Sequence, residues 1–205
     1  MRILLLSSIL LLFGCSHKTS NSLINTSVNN DCINTLKPSF ESVLFNTQVD
    51  VMKHHLSGLL LMKKMQKDTI RIVFTNEMGI KYFDFEMADN DHFKVISCMK
   101  KLNKKIVINQ LKKNFSLLLM NKSDLNAYQL NKTDTAKYYK LEGKKEQVYY
   151  ITNIACSEVL KIETADNEKK KIIITLNGRK NGMADEIFIN YQTFKFDIHL
   201  KQIER

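Results

Sequence analysis

Between Phe194 and Leu200 the chain changes character at every residue: Phe194, Phe196, Ile198 and Leu200 alternate with Lys195, Asp197, His199 and Lys201. A period of two means a strand with one apolar and one wet face. The same alternation runs through Thr69–Thr75, where Ile70, Ile72 and Phe74 oppose Arg71, and through Ile80–Met87, where Phe83, Phe85 and Met87 oppose Asp84 and Glu86. Gly79 marks the turn between these two, and Phe93–Met99 reads as a third strand, so Thr69–Met99 is expected to form an antiparallel meander. His55–Lys63 precedes it as an apolar strand. Strands are also predicted at Ala136–Leu141, Gln147–Ile154, Val159–Glu163, Lys171–Leu176 and Glu186–Tyr191. The period changes once. Leu111, Phe115, Leu118 and Leu119 fall at helical spacings, which predicts a helix over Asn109–Met120, above the preceding sheet. Ile33–Phe45 reads as a short helix or arm, and Asn121–Thr135 as a polar loop. The sum is a mainly β (α+β) chain of about nine or ten strands with one to three helices, and a sheet that long must curl or close.

The N-terminus follows a different logic. Arg2 precedes an eleven-residue apolar run, Ile3–Phe13, broken only by Ser7 and Ser8. It fits the apolar region of a signal peptide and is too short to span a bilayer. Leu12-Phe13-Gly14-Cys15 resembles the lipobox of bacterial lipoproteins, which implies diacylglycerol on the Cys15 thiol, cleavage before it and acylation of the new amine. By the sorting rule of proteobacterial lipoproteins, Ser16 rather than Asp after that cysteine implies the outer membrane of the cell envelope. Ser, Thr and Asn then dominate residues 16–31, the composition of a flexible coil with a reach of roughly 20–25 Å. The expected organisation is a lipoprotein signal peptide at 1–14, a flexible tether at 15–32 beginning with lipidated Cys15, and a β-rich domain at 33–205.

Composition adds limits. Removing 14 of the 205 residues leaves 191, enough for a sizeable core. The formal charge is +10, and 31 Lys and Arg include arginine only at Arg2, Arg71, Arg179 and Arg205. A chain so poor in Arg forks is not a nucleic-acid reader. The lysines are spread along the chain, which fits solvated outer faces; a surface facing anionic lipid is the alternative. Lipidation of Cys15 would leave Cys32, Cys98 and Cys156, an odd number with no C-x-x-C. Cys98 and Cys156 lie in strand-like segments and form one possible pair; two buried free thiols are the other option, with Cys32 loose in the N-terminal arm.

No spacing supports catalysis or a cofactor, and the chain does not read as an enzyme. His54 and His55 are adjacent rather than one helical turn apart, and His92 and His199 are isolated, so no metal site is predicted. Asp84 and Glu86 share a strand face and read as solvated carboxylates rather than an acid–base pair. Ser57 has no nucleophile elbow around it. Asp68-Thr69 and Asp134-Thr135-Ala136 resemble an O-glycosylation sequence of some Bacteroidota.

What remains is an aromatic and Met stripe: Phe74, Phe83, Phe85, Met87, Phe93, Phe115, Phe194 and Phe196. Two readings stay open for it, a lining for an apolar ligand or a filled core. The order of parts bears on the choice. A lipobox, a Gly-bearing strand (Leu56-Ser57-Gly58-Leu59-Leu60), a meander through Arg71-Ile72-Val73-Phe74 and Met78-Gly79-Ile80, a helix and terminal alternating strands together resemble the LolA/LolB type of outer-membrane lipoprotein carriers and receptors. Leu56–Met120 is also similar to lipoproteins of Bacteroidota. This resemblance implies an open half-barrel capped by helices, whose concavity holds an acyl chain. It also implies as partners the membrane through the Cys15 anchor, an acyl-chain or lipoprotein ligand, or, on the alternative reading, an outer-membrane protein complex that the chain helps to assemble.

Overall fold

A computed structural model describes residues 31–204, apart from 52, 89–91, 122–127, 143–145 and 168. Cys15, the signal segment and nearly all of the tether lie outside the described residues. The described part opens with a short helix, α1 (Asp31–Thr35), followed by β1 (Ser42–Val51), β2 (His54–Lys64), β3 (Ile70–Thr75), β4 (Lys81–Met87) and β5 (Phe93–Cys98). The long helix α2 (Lys105–Leu118) comes next. Then follow β6 (Tyr128–Lys132), β7 (Ala136–Glu142), β8 (Gln147–Asn153), β9 (Val159–Asp166), β10 (Lys169–Asn177), β11 (Glu186–Tyr191) and β12 (Phe196–Gln202).

All the strands of the described residues join one antiparallel sheet of twelve, in the order β5-β4-β3-β2-β1-β12-β11-β10-β9-β8-β7-β6. The chain therefore starts mid-sheet, walks outward to the β5 edge, and crosses to the opposite β6 edge by way of α2. From there it walks back until β12 pairs with β1. The edges β5 and β6 do not pair with each other, so the curled sheet stays open on one side.

Alternation builds the concave face. In register, Ile162, Ile174, Ile189, Ile198, Val49 and Leu56 form one apolar row across six strands, β9 to β2. Cross-strand apolar pairs of this kind are what hold a sheet together. The row packs with Phe45, Met62, Ile72, Phe74, Phe83 and Phe85 into one core cluster. Gly58 bends β2 at a close approach: a Cβ there would strike the carbonyl oxygen of Thr75 on β3.

Two strands depart from expectation. The stretch read as a short helix or arm does begin in a short helix, α1, but β1 takes over its last four residues, from Ser42 to Phe45, and runs on to Val51. Val43, Phe45, Val49 and Val51 do alternate, but Thr47 breaks the apolar row and Leu44 fills the opposite face. Thr47 is nonetheless buried, and its hydroxyl donates to the Phe45 carbonyl at 3.4 Å. β6 lies in the stretch read as a loop; its pairing with β7, from Tyr128↔Leu141 to Lys132↔Lys137, recruits a segment whose own residues carry little strand signal.

The cysteines also pair differently. Cys32 of α1 is bonded to Cys156 in the β8–β9 turn, with Cα atoms 5.8 Å apart, and Cys98 is free. Cys156 sits in that turn at a φ of 58° rather than in a strand, which carries it away from Cys98 on edge strand β5. The bridge fixes α1, whose Ile33 is fully buried in the core cluster. Leu36, just past α1, is buried and lines one small recess with Leu118, Met120, Ile162 and Met183, so the N-terminal segment lies beside the C-terminal end of α2.

Candidate functional site

α2 is amphipathic along its length but buried along only half of it. Leu111, Asn114, Phe115, Ser116, Leu117 and Leu118 are buried, all from the middle of the helix onward, while Ile106 is 71% exposed. Polar bonds pin that second half to the sheet. The Tyr150 hydroxyl on β8 donates to the Leu117 carbonyl at 3.3 Å, and the Tyr191 hydroxyl on β11 lies 2.7 Å from Asn114 Oδ1. Burial pushes the Tyr191 hydroxyl well above its ordinary value and keeps it a neutral donor. Among the described residues no side-chain hydrogen bond of this kind anchors the first turn. Lys104 at the N-cap makes no side-chain cap bond, the first turn holds no acid, and Lys104 and Lys105 set two cations at the positive end of the helix dipole.

Under this half of the helix the concave face is not filled. A cavity of about 400 Å³ lies between the two layers, within the volume range of small-molecule sites. Val49 and Val51 of β1, Leu56 of β2, Phe74 of β3 and Phe83 of β4 form its floor. Leu102, Ile106, Val107, Gln110 and Leu111 form the helix side, and Phe194 and Phe196 close the β12 end. The wall it presents is apolar throughout. A much smaller recess of about 20 Å³ continues inward past Leu60, Asn114 and Phe115.

The eight stripe residues divide between the two readings. Phe74, Phe83, Phe194 and Phe196 stand on the cavity wall. Phe85 and Met87 are packed in the core, with Phe85 stacked on Phe83 at 4.4 Å between ring centroids. Phe115 meets Phe83 edge-on at 6.0 Å and reaches only the inner recess. Phe93 lies on edge strand β5 against Phe85, 5.0 Å away. Phe194 precedes β12 rather than opening it, and is 44% exposed at the cavity end, 4.9 Å from the Tyr191 ring. The aliphatic half of the lining, above all Val49, Val51, Leu102, Ile106 and Val107, was not singled out from the sequence. The β1 alternation was the signal for the two valines, whereas the residues from the start of α2 carried none beyond being apolar.

The polar candidates form separate pairs on other surfaces. Asp84 is buried rather than solvated: the Arg71 guanidinium bonds its carboxylate with two nitrogens, and Lys81 Nζ lies 3.0 Å away. That hydrogen bond from Arg71, foremost, holds the Asp84 carboxyl below its ordinary value. His199 Nε2 is 3.0 Å from Glu186, and its ring stacks on Phe188 at 4.4 Å. His55 Nδ1 is 2.9 Å from Asp50, and His92 lies 3.8 Å from Glu86. Among the described residues no group of three or more His, Cys, Asp or Glu could hold a metal.

No family model and no curated protein matches the chain. Its fold does match solved structures. A LolA superfamily protein from Nitrosomonas europaea superposes with a TM-score of 0.51 at 10% identity, over 82% of this chain and 85% of that one. A protein domain described as outer membrane lipoprotein-sorting, from Vibrio parahaemolyticus, gives 0.47 at 9% identity over 85% and 90%. A DUF1329 family protein from Desulfovibrio piger gives 0.46 at 8% identity, also over 85% and 90%. At such identities only the overall architecture is shared, and the first superposition is the one that carries it. The long antiparallel sheet, open along one side and crossed by a helix on its concave face, is a LolA-like fold.

Proposed function

We propose that this protein is an envelope lipoprotein that holds an acyl chain, or another slender apolar ligand, between α2 and the concave face of its sheet. The single observation that carries this is the apolar cavity of about 400 Å³ left under one half of a helix whose other half is tightly packed. An occupant removes that wall from water, a gain of about 25 cal/mol per Å² of apolar surface. Cys15, at the end of the signal-like segment, would carry the lipid that keeps the domain beside a membrane. Among the described residues no helix is long and apolar enough to cross one. The Nitrosomonas europaea neighbour is a LolA superfamily protein, and a carrier role agrees with the fold the two share.

Native mass spectrometry on protein purified without detergent tests the cavity directly. The expected spectrum contains an adduct in the mass range of a single lipid, lost in Val51→Trp, whose indole would fill the floor. A clean apo mass, together with no binding of dodecanol by the wild-type chain, would overturn the proposal and leave the assembly role as the reading to pursue. The anchor is tested separately: Cys15→Ala should abolish incorporation of labelled palmitate and release the protein from membranes, and retention of both would refute lipidation.

A further inference from the structure

The apolar cavity does not end at solvent alone. Beside it lies a second hollow of about 260 Å³, and Gln110 of α2 and Phe194 line both. Ile172 and Tyr191 also line it, and the rest of its wall is polar: Lys113 and Glu146, Asp166 at the end of β9, Lys171 of β10, and Thr193. The charges there balance, two cations against two carboxylates, but they are unequally used. Lys113 Nζ is already paired with Glu146 at 2.5 Å. Lys171 and Asp166 have no ion-pair or side-chain hydrogen-bond partner among the described residues. Gln110 stands at the seam. Its Oε1 lies 3.2 Å from the Tyr191 hydroxyl, and no described residue accepts from its Nε2. Among the described residues the hollow therefore offers one unpaired cation, one unpaired anion and, at the border with the apolar cavity, an unpaired amide donor.

We propose that this hollow is a head-group subsite, and that the ligand is an amphiphile with a zwitterionic head. This deepens the proposed function and rests on it. The tail lies in the cavity, and the Gln110 amide donates to an oxygen where tail meets head. The anionic part of the head faces Lys171 and the cationic part faces Asp166. A purely anionic head would gain Lys171 but meet the Asp166 carboxylate, and an uncharged head would leave both charges unanswered. A zwitterion is the class that answers both.

Isothermal titration with a single-tail series separates this inference from the reading it rests on. The probes are dodecanol, dodecyl maltoside, dodecanoate and dodecylphosphocholine, all below their micellar concentrations. Dodecylphosphocholine is expected to bind most tightly, by roughly tenfold over dodecyl maltoside. Lys171→Ala with Asp166→Ala should erase that preference while leaving dodecanol binding unchanged, and Gln110→Leu should weaken all oxygen-bearing heads alike. If dodecanol binds and the three heads rank equally, or dodecanoate ranks first, the subsite proposal is overturned and the apolar site stands. If dodecanol fails to bind, the apolar site itself has failed.

Discussion

The Cys32–Cys156 bridge closes a loop across a sequence separation of 124 residues, most of the β-rich chain. Taking the loop-closure relation, a constant of about 2.1 cal/mol/K plus 1.5R ln n with n near 124, the reduced unfolded chain gains about 5 kcal/mol of entropy at 25 °C. A domain of this size loses about 2–4 °C of Tm per kcal/mol, so the expected drop is about 10–20 °C. The variant to make is the double Cys32→Ser, Cys156→Ser, which leaves no orphan thiol to form a mispaired bridge. Its melt, followed by circular dichroism, should match that of the wild-type chain in excess reductant. Cys98→Ser should melt with the wild type, because that thiol is outside the bridge. Releasing α1 also loosens Ile33 and Leu36, so the double variant should exchange backbone amides faster around Met120 and Met183 than around β3 and β4. A double variant that melts within about 2 °C of the wild type would refute the loop-entropy argument. Peptide mapping that finds Cys98 in a disulfide would refute the pairing itself.

Lys104→Ser supplies the missing N-cap of α2 and should add about 1 kcal/mol; because it steadies the half-helix over the cavity, stopped-flow should show slower ligand release. Asp84→Asn leaves Arg71 and Lys81 facing a neutral amide and should cost about 2 kcal/mol by urea unfolding. Asp84 has a folded-state pKa held below the ordinary 3.8, so the wild type keeps this contribution above that value and loses it as the pH falls further; the loss should be absent in Asp84→Asn. Gly58→Ala puts a methyl group on the Thr75 carbonyl and should cost at least about 2 kcal/mol, while Gly79→Ala, whose Cβ meets nothing, should cost less.

Much of the sheet was legible from alternation alone. Glu186–Tyr191 has the predicted limits, and the β3–β5 meander pairs as expected. A period of two is a local property, forced wherever one face of a strand is buried, so residues a few positions apart reveal it. The helix was found from Leu111, Phe115, Leu118 and Leu119 because these four make the packed contact. Its first turn, Lys105 to Ile108, has no fully buried residue and so no periodic signature: Val107 and Ile108 pack only partly against the core, and Ile106 is largely exposed. The cavity lies under that unpatterned turn.

What the residues determined by themselves was local: which stretches form strands, which face of each is apolar, and a helix between two groups of strands. Tertiary structure decided the rest. Pairing of β1 with β12 joined two meanders into one sheet, and the chain's crossing by α2 left the edges apart. The bond between Cys32 and Cys156 required a turn residue and a helix far apart in sequence to meet. Whether a given phenylalanine fills the core or faces a hollow depended on where α2 touches down. Phe74 and Phe115 look alike in sequence, but the helix carries Phe115 into the packing and stands away from part of the sheet that holds Phe74. A side chain's own chemistry sets that it will leave water; only the arrangement of the surrounding backbone sets whether anything is there to meet it.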